Sequence, residues 1–279
     1  MAVSNLKHQT CSVRGKELAV YRNSEDGDSL NLVMMHGLTS SVDLNEKLKF
    51  PDWEHVAEKY PLVKFDVRGH GRSESEHNPE NYIWQNLSLD LLELVERLNL
   101  KDVVLAGSSM GAATCLTAMS ELDKRDINVK GLVLVIPPTY GDERAKLLRI
   151  YDKFATILET KGSKSLVEYW ESLPPTEFFA RELPETREIS HGHFVEHADS
   201  LSMAAAFRGS AMCKYPSVEA IQSISAPVLI LSRVDDPTHP VESAEYLDKH
   251  LPRSVHHCAT TKEDVYGWPE LVLQFMDNL

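Results

Sequence analysis

The stretch from residue 102 to 118 constrains the fold of this chain more than any other. Val103, Val104, Leu105 and Ala106 form a short apolar run, and after Ser109 the small or apolar series Gly111, Ala112, Ala113, Leu116 and Ala118 continues at helical spacing. The predicted order is strand, sharp turn, helix. The turn, Gly107-Ser108-Ser109-Met110-Gly111, has the spacing G-x-S-x-G. A residue held on such an elbow takes up strained backbone, and the positions two before and two after it must be nearly free of side chain if strand and helix are to pass closely. Gly107 and Gly111 supply that room. The Ser109 hydroxyl is then presented at the top of a sheet, and the Met110 N–H lies at a helix N-terminus, where it can donate to a developing oxyanion. An ordinary glycine-bounded βα turn has the same pattern, so the motif alone makes Ser109 only a candidate nucleophile.

The rest of the chain alternates strand and helix around this elbow. Residues 8 to 22 read as a hairpin turning at Gly15 and Lys16. Leu30 to Met35 and Leu62 to Val67 are nearly continuous apolar runs, as expected of strands buried on both faces. The first runs into the loop His36 to Ser41 and the second into Asp66 to Ser73, both at carboxyl ends of strands, where open α/β sheets bind ligands. Leu91, Leu94, Val95 and Leu98 mark an amphipathic helix over 86 to 100. Strands follow at 132 to 136 and 227 to 231, then a helix near 241 to 250, a short strand near 254 to 259 and a last helix near 269 to 278. Between the strands at 132 and 227 the alternation stops, and a charged, helix-prone insertion intervenes.

Length and charge narrow the function. A chain of 279 residues can bury one large core. Its formal net charge of −13 disfavours nucleic acid or an anionic membrane as partner. No run is long enough to span a membrane, and Met1 to Thr10 lacks the regions of a signal peptide, so the expected compartment is the cytoplasm. Cys11, Cys115, Cys213 and Cys258 are widely spaced and read as reduced thiols.

Four motifs together resemble the α/β-hydrolase superfamily over essentially the whole chain. They are His36-Gly37, the D-x-R-G-H-G-x-S loop at Asp66 to Ser73, the elbow, and the strand 227 to 231 followed by Asp235, Asp236, Pro237 and Pro240. The resemblance implies a mostly parallel central sheet flanked by helices, with residues 1–140 and 212–279 as the core domain and 141–211 as a helical cap. It implies Ser109 as nucleophile, the Leu38 and Met110 N–H groups as oxyanion hole, and His36 and His70 as loop-structuring residues. The acid of the triad is Asp236, since Arg233, Asp236 and Pro240 match G-x-x-D-x-x-x-P with Arg233 in place of glycine; Asp235 is the competitor. No cofactor and no metal are implied.

One motif is missing. The family's G-H pair falls on Thr261 and Lys262, and neither is histidine. A serine hydroxyl needs a base to be a useful nucleophile near neutral pH. His257, at the carboxyl end of the last strand, is the preferred replacement, and a regular strand would point His256 to the other face. Lys262 would need a depressed pKa, which Glu263 and Asp264 oppose. His239, close after Asp236, is an outside candidate. In the insertion His191, His193 and His197 have the spacing H-x-H-x-x-x-H, which could bind zinc or supply a base, though such histidines are more often solvated. Tyr151, Phe154, Trp170, Phe194, Met203 and Phe207 could enclose a small substrate or form the insertion's own core. Three functions remain: a serine hydrolase of small carboxylic esters or lactones, an impaired family member that binds an apolar small molecule under the insertion, and a member that uses the same elbow for carbon–carbon cleavage, haloperoxidation or another reaction, which shares the motifs. The partner expected is a small-molecule substrate.

Overall fold

The computed structural model describes residues 6–279. Of the segment expected to lack a signal peptide, Met1 to Asn5 lie outside the described residues. Eight strands form one sheet in the order β1-β2-β4-β3-β5-β6-β7-β8. The hairpin is β1 (Lys7–Val13) with β2 (Lys16–Arg22), and β2 runs antiparallel to β4 (Leu62–Phe65). From there every pairing is parallel, through β3 (Asn31–Met35), β5 (Asp102–Ser108), β6 (Asn128–Val135), β7 (Val228–Arg233) and β8 (Ser254–Ala259).

The apolar runs are continuous because both faces of the sheet are covered. Val33, Met35, Val103 and Leu105 point into one core with Leu91, Leu116 and Ala244, while Leu32, Met34, Val104 and Ala106 point into another with Trp53, Trp268 and Val272. That split is the period of two of a strand, with neighbours sent to opposite faces. The first helices are α1 (Val42–Leu48), α2 (Trp84–Arg97) and α3 (Met110–Ala118), and α2 and α3 pack on the first of these cores. Truncating a fully buried side chain such as Leu105 to Ala would cost about 2–5 kcal/mol.

The insertion between β6 and β7 is helical: α4 (Asp142–Glu171), α5 (Glu177–Glu182), α6 (Glu185–His197) and α7 (Ser200–Met212). Gly162, at φ 81° and ψ 178°, breaks α4 into two helical halves. Ala155, Leu158, Leu166, Phe194, Met203 and Phe207 form a third core with Tyr82, which joins the insertion to the turn before α2. Leu38, of the loop after β3, packs against the same cluster. After it come α8 (Val218–Gln222), α9 (Val241–His250), α10 (Lys262–Tyr266) and α11 (Trp268–Asp277). No helix among the described residues is long and apolar enough to cross a membrane, and the four cysteines are free, with Cys258 exposed.

Candidate active site

Ser109 stands between β5 and α3 at φ 52° and ψ −109°, a region that residues with a side chain rarely occupy. Close packing enforces it. A Cβ on Gly107 would lie 2.2 Å from the Gly111 carbonyl carbon, and one on Gly111 would lie 2.4 Å from the Met35 carbonyl oxygen. The Ser109 N–H donates to the Val135 carbonyl at 2.9 Å, which pins the elbow to β6. Met110 opens α3, so its N–H is one of those a helix leaves without an acceptor of its own. A Cβ on Gly37 would be 3.4 Å from the Ser109 Cβ, so the Gly37-Leu38 turn passes directly beside the serine.

That turn is tied to the next loop. His36 Nδ1–H donates to the Gly37 carbonyl at 2.8 Å, and its Nε2 accepts the Val67 N–H at 3.0 Å. The Asp66 carboxylate accepts the N–H groups of Val42 and Arg72, and Arg68 grips Asp90 through two hydrogen bonds of 2.6 and 2.7 Å. Burial keeps both loop histidines neutral, with His36 pushed down to about 4 and His70, beside it, to about 3. None of these groups is bonded to Ser109. Their work is to hold the two loops.

The group that meets the serine comes from the loop after β7. His239 Nε2 lies 2.8 Å from Ser109 Oγ, and its Nδ1 lies 2.9 Å from Asp236 Oδ2. A carboxylate only accepts, so Nδ1 carries the proton and the Nε2 lone pair faces the serine hydroxyl. A tight turn makes this possible, because the His239 N–H donates to the Asp236 carbonyl at 3.0 Å and the Thr238 N–H to Asp236 Oδ1 at 3.1 Å. The Thr139 hydroxyl holds the turn from outside by donating to the Thr238 carbonyl at 2.8 Å. Pro237 and Pro240 flank Thr238 and His239.

Arg233 adds a third member. Its Nη2 donates to Asp236 Oδ2 at 2.5 Å, its guanidinium lies over the Phe179 ring at 4.5 Å, and its buried Nε has no partner. Burial raises the Asp236 carboxyl, but His239 and then Arg233 more than offset it, and the group is held well below the usual carboxylate range. The position where glycine was expected therefore carries the charge closest to the buried acid. Asp235 is set apart, at φ 58° on the exposed side, where its Oδ2 accepts from Arg181 at 2.7 Å.

His257 requires a correction. It is exposed on β8, the edge strand, and β8 is three strands from β5, about 14 Å at ordinary strand spacing. A side chain within that strand cannot reach the serine, and the chain beyond Ala259 provides no longer arm. Thr261 accepts from the Asp264 N–H and its own N–H donates back to the Asp264 carboxylate, a capping box that starts α10 immediately. Lys262 is the first residue of that helix. His256, as the strand period requires, turns the other way and meets the Ser232 hydroxyl at 2.7 Å. The insertion histidines also stay away from Ser109: His191 faces Glu171 and Trp170, and His193 meets the Ser41 hydroxyl at 3.0 Å. Most of the insertion's aromatic residues form its own core. The signal for His239 was present as the run Asp-Pro-Thr-His-Pro, in which a turn closes over three residues.

The sequence matches the model of the alpha/beta hydrolase fold family over residues 31–267. A protein of Bacillus subtilis named as a candidate 2-succinyl-6-hydroxy-2,4-cyclohexadiene-1-carboxylate synthase is 26% identical over 222 residues, 76% of each chain. The 3-oxoadipate enol-lactonase 1 of Acinetobacter baylyi is 24% identical over 241 residues, 85% of this chain and 83% of its own. Among solved structures, a thermophilic esterase from Thermogutta terrifontis superposes with a TM-score of 0.78 at 20% identity, covering 98% of both chains. The match spans the strand that leads into the first loop, the elbow and the turn that carries Asp236 and His239, and the chain belongs to the α/β-hydrolase fold family.

Proposed function

We propose that the protein is a serine hydrolase of small carboxylic esters or lactones, acting through an acyl-enzyme on Ser109 with His239 as base and Asp236 as its orienting acid. The observation that carries this reading is the unbroken chain of hydrogen bonds from Ser109 Oγ through the His239 ring to Asp236. Ser109 Oγ attacks the carbonyl carbon and its proton passes to His239 Nε2. The oxyanion that forms is taken by the N–H groups of Leu38 and Met110, the first brought there by the Gly37 turn and the second by the start of α3. His239 then returns the proton to the leaving alkoxide, and a water repeats the sequence to release the acid. In a lactone the alkoxide stays tethered to the acyl group and the product is a hydroxy acid. The enol-lactonase relative of Acinetobacter baylyi supports this substrate class.

The alternative, binding without catalysis, rested on the missing G-H pair, and the nearness of His239 to Ser109 favours the hydrolase over it. The deciding experiment is labelling with a fluorophosphonate, read by intact mass and peptide mapping. A fast single adduct on Ser109, absent in Ser109→Ala and slowed about a thousandfold in His239→Ala, is the expected result. A folded protein that takes no adduct on Ser109 would overturn the assignment.

A further inference from the structure

Away from the serine, two helices each present a pair of side chains one turn apart. Asp43 and Lys47 lie on α1 of the core, and His193 and His197 lie on α6 of the insertion. The helices face each other. Lys47 Nζ is 3.0 Å from Asp43 Oδ2 and 3.3 Å from His193 Nδ1, and the His193 and His197 rings are 4.4 Å apart between centres. One ligand atom from each of Asp43, His193 and His197 falls within 4.8 Å of the others.

We infer that Asp43, His193 and His197 form a binding site for a divalent transition-metal ion such as Zn2+, clamping the insertion to the core. The donor set is apt. Two imidazoles and a carboxylate are ligands zinc accepts at about 2.0–2.2 Å, with the fourth position left for water. The lysine ammonium can only donate, so His193 Nδ1 accepts from it and the ring proton sits on Nε2, which donates to Ser41 Oγ. That second hydrogen bond fixes the ring and its tautomer, as outer partners of metal-bound histidines do. The ammonium of Lys47 thus sits between an imidazole lone pair and a carboxylate, where a metal cation would sit. Lys47 is half-exposed and can withdraw into solvent.

Beside the cluster, a cavity of about 20 Å³ has Ser41, Gly69, His70, Gly71, His193 and His197 among its lining residues, room for one water, while Asp43 and Lys47 lie outside it. His70, almost fully buried in its wall, has an Nε2 without a partner. Closing the three ligands around an ion asks them to converge by up to about 1.4 Å, to the roughly 3.4 Å between neighbours in a tetrahedral shell. Asp43 and His197 are on the solvent side, and to make that move Asp43 exchanges its contact with Lys47, and His197 its contact with Glu196, for the ion. His191 belongs to neither the cavity nor the cluster, so the sequence pattern of three histidines reduces to two, joined by an aspartate from the core.

The test is calorimetric titration of the full-length protein with Zn2+, together with its melting temperature. One saturable site is expected, and saturation raises the melting temperature because the ion joins α6 to α1. His197→Ala, at an exposed position that will not disturb folding, should weaken binding roughly tenfold or more. Lys47→Ala removes the competing ammonium and should tighten it severalfold. No saturable binding in either the parent protein or Lys47→Ala would overturn the site. So would binding that is unchanged in His197→Ala, since the ion would then lie on other surface groups such as Cys258.

Discussion

The loop after β7 and the loop after β8 leave the same edge of the sheet side by side, yet they carry different loads. The first closes a turn over Asp236, Pro237, Thr238 and His239 and delivers both a buried carboxylate and an imidazole to the serine. The second has only Thr260 and Thr261 before α10 begins, and both are spent on the Asp264 carboxylate. A base needs an arm long enough to cross from its strand to the nucleophile. The outer loop is too short for that, and in the proposed mechanism the inner loop, one strand nearer, supplies the base. Asp236 and His239 are neighbours in sequence, coupled through one turn.

The largest effect should come from breaking the inner loop's contact with the elbow. Ser109→Ala and His239→Ala should each lower kcat/KM for a simple ester such as p-nitrophenyl acetate by about 10⁴-fold, with unchanged circular dichroism. Each should cost nearly as much as the double variant, because the two groups act as a unit. Retention of a tenth of the activity in His239→Ala would show that another group takes the proton.

The comparison of the loops has to be made near neutral pH, because the histidines in the neighbouring loops set an acid limit of their own. His36 and His70 are neutral in the fold down to about pH 4 and 3, whereas in the unfolded chain they take up protons near pH 6.5. Below pH 6.5 the unfolded state therefore binds more protons, and stability falls as pH falls until the folded histidines also titrate. At pH 5 the loss is about 2 kcal/mol for each histidine relative to pH 7 or above, about 4 kcal/mol together. Urea midpoints at pH 5 and 7.5 measure it. A flat stability across that interval would show that these rings are not buried in their neutral form.

The sheet, the elbow and the first two loops were legible in the sequence because each is written in a local pattern. Leu30 to Met35 is apolar without a break since both its faces are covered, and Gly107 and Gly111 are required by contacts of 2.2 and 2.4 Å. Asp236 was chosen from its spacing to Pro240, and the structure places it against His239. His239 was legible only as an outside candidate, because the resemblance assigned the base to the loop after β8, where Thr261 and Lys262 stand in place of the expected pair and serve instead to start α10. The pairing of His193 with Asp43 was illegible for a different reason: the residues are far apart in the chain and meet through the packing of α6 on α1.

Arg233 offers a finer probe of the inner loop. It shares Asp236 Oδ2 with His239, so its positive charge offsets part of the field the carboxylate exerts on a protonated imidazole. Arg233→Met keeps the bulk against Phe178 and Phe179 and removes the charge. The acid limb of the kcat/KM profile should then move to higher pH, by roughly one unit. The plateau should fall by less than tenfold, since Ser109 and His239 are untouched. A purely structural role for Arg233 would lower the plateau and leave the limb in place.

The smallest expected effect is the one that tests the outer loop. His257→Ala, and Lys262→Ala beside it, should change kcat/KM by less than twofold. His257 is exposed on the edge strand, and three strand spacings separate β8 from β5. Lys262 begins a helix whose cap would have to open before its side chain could swing toward the serine. A loss of tenfold or more in His257→Ala would mean that Thr260 and Thr261 release Asp264 during turnover and carry the end of β8 across the sheet. The same rearrangement would make Asp264→Ala faster than the parent, because that substitution unties the cap. If Asp264→Ala only lowers stability and His257→Ala does nothing, the outer loop is a closed structural element and the inner loop alone supplies both charges.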